Sequence, residues 1–340
     1  MKSRICCLGI DTSNYTTSAA VVDENLNIIG NSREILRVKQ GERGLRQSQA
    51  LFEHIGNLPR IIEQLEIQKK GCRICAVAVS ERPRRVEGSY MPVFKAGETV
   101  GKSLAGVTGA AYYGFSHQEG HIEAARYSSG YKGDGEFLSL HLSGGTTEVL
   151  ICRELPGGEG YRTEIAGGTK DISLGQLIDR TGVRLGFRFP CGKLMDEAAL
   201  RKKASADRAE MKALESMFCR IKTENGMCCI SGIETRIQRY IDDIGNEQEG
   251  TDEMISAALF FRIGQAVSDI ISQSRKGTGI LPVIAAGGVA SSRFIREMLS
   301  EDEKLYFGSP ELSSDNAVGT AILGMKRYLA NETGTSFTVK

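Results

Sequence analysis

The chain holds 4 histidines in 340 residues. Two of them, His117 and His121, stand four apart in the run Ser116-His117-Gln118-Glu119-Gly120-His121. On a helix that spacing puts both imidazoles on one face, where they can share a metal ion. Zinc or iron held by two imidazoles alone lacks coordination and charge balance, so a third ligand must come from elsewhere in the chain. The competing reading is a solvated helical pair with no ligand. Residues 107–115, just before the pair, are small and apolar, which seats the histidines at the mouth of a packed element.

The elements that must position this pair read as alternating strands and helices. The first part gives a strand at 5–10, a hydroxyl-rich turn at 11–17, a strand at 18–22, a turn at 23–25 and a third strand at 27–30. The same phrase returns as a strand at 137–142, the turn Ser143-Gly144-Gly145-Thr146-Thr147, a strand at 148–152, a Gly-rich turn at 156–160 and a strand at 161–165. This weak internal duplication divides the chain into related halves. Between them lie a helix at 47–68, a strand at 74–80, a helix at 97–104 and the histidine helix. The second half continues with helices at 175–185, 193–216 and 252–275, the last opened by Thr251 as N-cap with Asp252 and Glu253 behind it. Ile255, Leu259, Ile263, Val267 and Ile270 recur at helical spacing and mark core. Strands alternating with helices predict an α/β class with parallel pairing in each half.

A short buried strand at 280–286 runs into Gly287-Gly288-Val289 and a helix at 292–299. Glycines at such a junction let the backbone approach a ligand, with helix N–H groups available to phosphate or ribose oxygens. The turns at 11–17 and 143–147 are of a type that grips phosphates, although Ser, Thr and Gly are also what ordinary turns are made of.

Composition narrows the class. A chain of 340 residues suits two domains better than one core. A net charge of +1 creates no global field for nucleic acid, so an RNA partner must bind a local patch. Nine scattered cysteines suit a reducing compartment, and cytoplasm is expected. The apolar run at the start is broken by Asp11, and no unbroken apolar stretch reaches membrane-spanning length, so no membrane association is expected. Cys72-x-x-Cys75 has no second pair and reads as two core or edge residues. The basic runs Arg82-Pro83-Arg84-Arg85 and Arg201-Lys202-Lys203 read as solvated faces with phosphate contact as the rival, and His54 reads as a packing or interface residue.

The duplicated strand–turn–strand with phosphate-gripping turns resembles the superfamily of actin, sugar kinases and heat-shock chaperones (ASKHA). Within it, the histidine pair resembles the TsaD-type tRNA threonylcarbamoyltransferase branch, once called O-sialoglycoprotein endopeptidase, over nearly the whole chain. Leu8-Gly9-Ile10-Asp11-Thr12-Ser13 is similar to the family's Gly-Ile-Glu-Thr-Ser, and Gly101-Lys102-Ser103-Leu104-Ala105 to its Gly-x-Ser-Leu-Ala helix. Leu142-Ser143-Gly144-Gly145 resembles the Ser-Gly-Gly phosphate turn. Gly175 to Asp179 matches the Gly-Glu-Ala-Phe-Asp helix, and Pro190-Cys191-Gly192 with Asp196 the Pro-Gly-Gly loop and its acid. Ala286-Gly287-Gly288-Val289-Ala290 and Ser314-Asp315-Asn316-Ala317 complete the set.

The resemblance implies a two-lobed ASKHA fold with duplicated β-sheet and helix cores. It places an N-terminal lobe over 1–133 plus 310–332 and a C-terminal lobe over 134–309. It makes Asp315 the third ligand beside His117 and His121, for one Zn2+ or Fe2+ as Lewis acid. An adenine nucleotide or carbamoyl-adenylate is expected against Thr12, Ser13, Ser143, Gly144, Gly145, Thr146, Asp179, Gly192, Asp196, Gly287, Gly288 and Ser292. In the family, threonylcarbamoyl-AMP binds between the lobes, and the exocyclic amine of the tRNA adenosine beside the anticodon attacks the carbamoyl carbon as AMP leaves. The implied partners are tRNA, a second copy or a related ASKHA subunit, and an accessory ATPase.

The chain also departs from the family. Thr146 stands where the family's phosphate turn has histidine, and Asn14, Tyr15 and Thr16 replace acidic residues. Glu234 replaces the lysine of Ser-Gly-Leu-Lys-Thr, and Ser292 an asparagine. Residues 81–90 replace the Gly-Pro-Gly-Leu loop. These changes keep two alternatives open: a divergent carbamoyl or acyl transferase with another acceptor, and a nucleotide-binding scaffold without chemistry. A protease is disfavoured, because no Ser-His-Asp, Cys-His or His-Glu-x-x-His arrangement is present and Glu119 lies at the wrong offset.

Overall fold

The computed structural model describes residues 3–13, 15–37, 45–244, 250–277 and 279–333. Asn14 lies outside the described residues. The chain forms two compact units: Met1–Gly135, Arg153–Arg162 and Glu311–Lys340 in the first, Glu136–Cys152 and Thr163–Pro310 in the second. Residues 153–162, although they follow the first strands of the second half in sequence, group with the first unit.

The apolar start of the chain builds β1 (Arg4–Asp11), which turns back antiparallel into β2 (Thr16–Asp23), buried along its whole length. β3 (Ile28–Ile35) alternates exposed and half-buried positions, as an edge strand with one wetted face does. Then follow α1 (Gln47–Gln64), β4 (Cys72–Arg82), α2 (Phe94–Thr108), β5 (Ala111–Ser116) and α3 (His117–Ser129). The sheet order is β3-β2-β1-β4-β5, with β1–β4 and β4–β5 parallel. Asp11, Ser80 and Ser116 therefore share the carboxyl edge of the three parallel strands, where α/β sheets offer backbone ends and loops to a ligand.

The second unit repeats the plan. Its elements are β6 (Phe137–Leu142), β7 (Thr147–Glu154) and β8 (Tyr161–Thr169), the last two strands having their adjoining ends in the first unit, then α4 (Leu174–Arg184), α5 (Gly192–Ser205), α6 (Arg208–Ser216), β9 (Thr223–Glu224), β10 (Met227–Cys228), α7 (Ser231–Ile244), α8 (Thr251–Ser274), β11 (Val283–Ala286), α9 (Arg293–Met298) and β12 (Leu305–Phe307). Its sheet runs β12-β11-β6-β7-β8-β10-β9. Read backwards, its first five strands, β8-β7-β6-β11-β12, repeat the neighbour order of the first sheet. The duplicated phrase in the sequence is thus a duplicated topology.

Three local expectations change. The run 193–216 is two helices, because Asp207 accepts from the N–H groups of Ala209 and Glu210 and starts a new one. The N-cap of α8 is Gly250, with Thr251 as its first, buried residue. The first helix stops at Gln64, short of 68. Among the described helices, α8 alone is long and apolar enough to cross a membrane, yet 72% of its apolar window is buried within the protein. Its Ile255, Leu259, Phe260, Ile263, Val267 and Ile270 are core of the second unit, each contributing about 1.5–3 kcal/mol of burial.

The chain then returns to the first unit as α10 (Val318–Thr333), which lies across β1, β4 and α3. Its crossing with α3 is a backbone contact. A Cβ on Gly319 would meet Gly120 O at 1.9 Å, and one on Gly120 would meet Thr320 Oγ1 at 2.8 Å. Gly120 lies between the two histidines, and Gly319, the second residue of α10, follows Asp315 by four positions. The absence of side chains at this crossing is what lets the two helices bring those residues together.

Candidate functional site

Ser116 caps α3 and leaves its first residue, His117, at the edge of the sheet. His117 Nε2 and His121 Nε2 are 3.0 Å apart. Asp315 Oδ1 lies 3.2 Å from His121 Nε2 and 3.6 Å from His117 Nε2. Donor atoms ~2.05 Å from a tetrahedral ion stand about 3.3 Å from one another, so these three separations bracket the spacing such an ion requires. Among the described residues this is the only close group of three or more His, Cys, Asp or Glu side chains. Two imidazoles and one carboxylate suit Zn2+ or Fe2+ and leave further coordination positions open.

Behind His117 stands a carboxylate. Asp11 is 1% exposed, and its Oδ2 lies 2.7 Å from His117 Nδ1. It also accepts from Ser13 N at 2.8 Å and Ser80 Oγ at 2.7 Å. A carboxylate on Nδ1–H fixes the ring and directs Nε2 toward the cluster. Burial disfavours a charged imidazole, but the Asp11 and Asp315 carboxylates outweigh it and raise His117 to about 10. Burial pushes both carboxyls up, and His117, joined at Asp315 by His121, pulls them below the ordinary range. The pocket of charge therefore favours a cation, either a proton or a metal ion.

The residues expected to face a nucleotide fall in two places. In the first unit, Thr12 Oγ1 donates to Val93 O at 3.0 Å and accepts from Gly97 N at 3.2 Å, tying the β1–β2 turn to α2. Ser13 Oγ is buried and makes no hydrogen bond. In the second unit, Ser143 Oγ accepts from Gly145 N and Thr146 N and so closes the 143–147 turn, leaving Gly144 and Gly145 exposed. That turn rests on the start of α4, through Ser173 Oγ to Gly144 O at 2.7 Å and Leu174 N to Thr147 Oγ1 at 2.9 Å. Asp179 accepts from Cys191 N at 2.8 Å, next to Gly192. Asp196 accepts from Ser292 Oγ, Arg293 N and Phe294 N, and Ser292 Oγ accepts from Ile295 N, so this pair builds the start of α9. Gly287, at φ +107°, packs where a Cβ would meet Leu142 O at 2.1 Å, while Gly288 is exposed with open space around it. A chain of contacts thus links the 143–147 turn, α4, α5, α9 and the β11 end.

Residues 29–322 match the model of the family described as TsaD, tRNA N6-adenosine threonylcarbamoyltransferase. The chain belongs to the TsaD family. It is 27% identical over 335 residues to the tRNA N6-adenosine threonylcarbamoyltransferase of Neorickettsia sennetsu, covering 97% of this chain and 95% of that one. With the Rhizobium etli protein of the same name it shares 28% identity over 342 residues, 94% and 88% of the two chains. Among solved structures it is similar to component A of the (R)-2-hydroxyglutaryl-CoA dehydratase of Acidaminococcus fermentans, at TM-score 0.54 and 15% identity over 96% of this chain and 99% of that one. It is also similar to HypF of T. kodakarensis, at TM-score 0.53 and 12% identity over 97% and 48%. These likenesses show the fold, an ASKHA α/β architecture with two mixed sheets.

Asp11 joins the site from outside the expected ligand and nucleotide sets, and its signal in the sequence is an acid that closes a strand in front of Thr-Ser. The charge change at Glu234 is locally balanced, because Arg180 Nη1 lies 3.2 Å from both of its oxygens. Arg201, Lys202 and Lys203 pair with Glu253, Glu210 and Glu297. Arg85 is held by Glu119 at 3.1 Å. Outside the cluster, buried His54 places Nδ1 2.8 Å from Thr17 Oγ1. Cys75 is buried on β4, with its thiol donating to Cys6 O at 3.2 Å.

Proposed function

We propose that this chain transfers a threonylcarbamoyl group from threonylcarbamoyl-AMP to N6 of a tRNA adenosine beside the anticodon, using one Zn2+ or Fe2+ held by His117, His121 and Asp315. The observation that carries the reading is the 3.0 to 3.6 Å spacing of those three donor atoms in a TsaD-family chain. A bound ion there would supply a Lewis acid with open positions for an oxygen of the substrate. Asp11 holds the His117 ring by Nδ1 and so turns Nε2 toward His121 and Asp315. Asp315 adds the negative charge that two imidazoles lack.

In the second unit, the exposed backbone of Gly144 and Gly145, with Ser143 and Thr146, is suited to phosphate oxygens. Asp179 and Gly192 are assigned to the ribose side, and Gly287 and Gly288 to the adenine side. Asp196 and Ser292 brace α9 behind them. Thr12 and Ser13 of the first unit are assigned to the phosphate chain. In the transfer, N6 bonds to the carbamoyl carbon, that carbon's bond to the phosphate oxygen breaks, AMP leaves, and the amine gives up one proton. The partners in this reading are tRNA, a second copy or related ASKHA subunit, and an accessory ATPase. All nine cysteines are free, which suits the cytoplasm.

The test supplies threonylcarbamoyl-AMP and unmodified tRNA with the family's partner subunits and measures threonylcarbamoyladenosine by mass spectrometry. Product that disappears in the His117→Ala and Asp315→Ala variants supports the reading. Thr146, a hydroxyl where the family has an imidazole, favours a second reading, carbamoyl or acyl transfer to another acceptor. Absence of product with metal and nucleotide still bound selects it.

A further inference from the structure

His117 is the first residue of α3, a position whose N–H groups have no partner within the helix. A ligand placed there is held only as firmly as that first turn. Glu119 secures the turn from the opposite face, since a residue two positions on points away from His117 and His121. Glu119 is buried. Oε2 accepts from Ser116 N at 2.8 Å and Ser116 Oγ at 2.7 Å, and Oε1 accepts from Tyr161 N at 3.0 Å and Arg85 Nη1 at 3.1 Å. These four donors use the carboxylate's acceptor capacity in full. Arg85 also donates to Glu159 O, and Pro83 O accepts from Gln118 N at 3.1 Å. The 81–90 segment, where the chain departs from the family's Gly-Pro-Gly-Leu loop, thus closes on the start of the histidine helix at two points.

We propose that Arg85, acting through the buried Glu119 carboxylate, is a positioning residue that sets the first turn of α3 and so the geometry of the His117–His121 pair. The inference rests on the metal reading of that pair. Arg85 touches neither imidazole, and its side chain is 36% exposed against 2% for Glu119, so it can be changed without opening the core.

The experiment uses the full chain with Co2+ as probe, comparing wild type, Arg85→Ala, Arg85→Lys and Glu119→Gln. Co2+ affinity is measured by chelator competition, ligand geometry by the visible absorption band, and the apo helix start by amide exchange at Gln118 and Glu119. Arg85→Ala is expected to weaken Co2+ binding by about tenfold, in the range seen when outer partners of metal ligands are removed. It should also shift the band and speed exchange of both amides, with Arg85→Lys restoring most of each. Arg85→Ala with wild-type affinity and band overturns the proposal, whether or not exchange changes. If wild type binds no Co2+, the metal reading itself fails, and unchanged exchange in Arg85→Ala then removes the helix-setting role as well. Should Glu119→Gln fail to fold, the Arg85 pair still decides.

Discussion

Asp11 Oδ2 lies 2.7 Å from His117 Nδ1, joining the last residue of β1 to the first of α3 across 106 positions of sequence. The carboxylate is buried and holds two other donors, so it cannot swing away without leaving them unpaired. A ring fixed in this way presents one nitrogen to the cluster.

Asp11→Asn keeps the side chain's size, and with its one amide oxygen accepting from Ser13 N, the NH2 takes the place of the oxygen that faces Ser80 Oγ and His117 Nδ1. Losing the charge behind His117 should weaken Zn2+ binding by roughly tenfold to a hundredfold. Chelator competition measures it, and an unchanged affinity would show that Asp11 serves packing alone.

The purified chain should carry about one divalent transition metal per molecule, the stoichiometry expected of a three-ligand set. Replacing His117 and His121 together with alanine should empty the site. Equal metal content in wild type and double variant, by elemental analysis, would refute the assignment.

Gly287→Ala and Gly288→Ala should separate fold from binding. At Gly287 the positive φ alone costs roughly 1–3 kcal/mol, and the overlap with Leu142 O adds to it. At Gly288 a methyl group meets nothing, so stability should stay within about 0.5 kcal/mol of wild type, and any loss should be in AMP affinity. Urea unfolding and calorimetry read the two effects. Equal destabilisation by both variants would contradict the local geometry.

Asp171 ties the β8 end to the start of α7, accepting from Ile230 N at 3.0 Å and Ser231 N at 2.9 Å. Burial pushes its carboxyl up, but those backbone N–H groups prevail and draw it down to about 2. Its ordinary value in an unfolded chain is ~3.9, so between pH 4 and 2 the unfolded state takes up the proton first. The stabilisation is complete above about pH 4 and fades toward pH 2. Urea midpoints of wild type should therefore fall more steeply over that range than those of Asp171→Asn. Parallel slopes would remove Asp171 from the acid response.

Local periodicity carried much of the fold. The His117–His121 spacing, the two strand–turn–strand phrases and the apolar stripe of α8 depend on neighbours a few residues apart, so they can be read from the chain alone. Asp315 as partner of the histidines came only through the family's motif, because no spacing rule links residues 194 positions apart. The tertiary structure decided the rest. The backbone crossing at Gly120 and Gly319 sets Asp315 beside the imidazoles, and parallel pairing of β1, β4 and β5 puts Asp11 and Ser80 behind them. Which of two adjacent glycines is indispensable depended on a φ angle and a facing carbonyl, and the charges of Glu234 and Arg85 took their meaning from Arg180 and Glu119. Each of these is a contact between distant segments, whose existence depends on how helices and strands pack, and packing is a property of the whole chain.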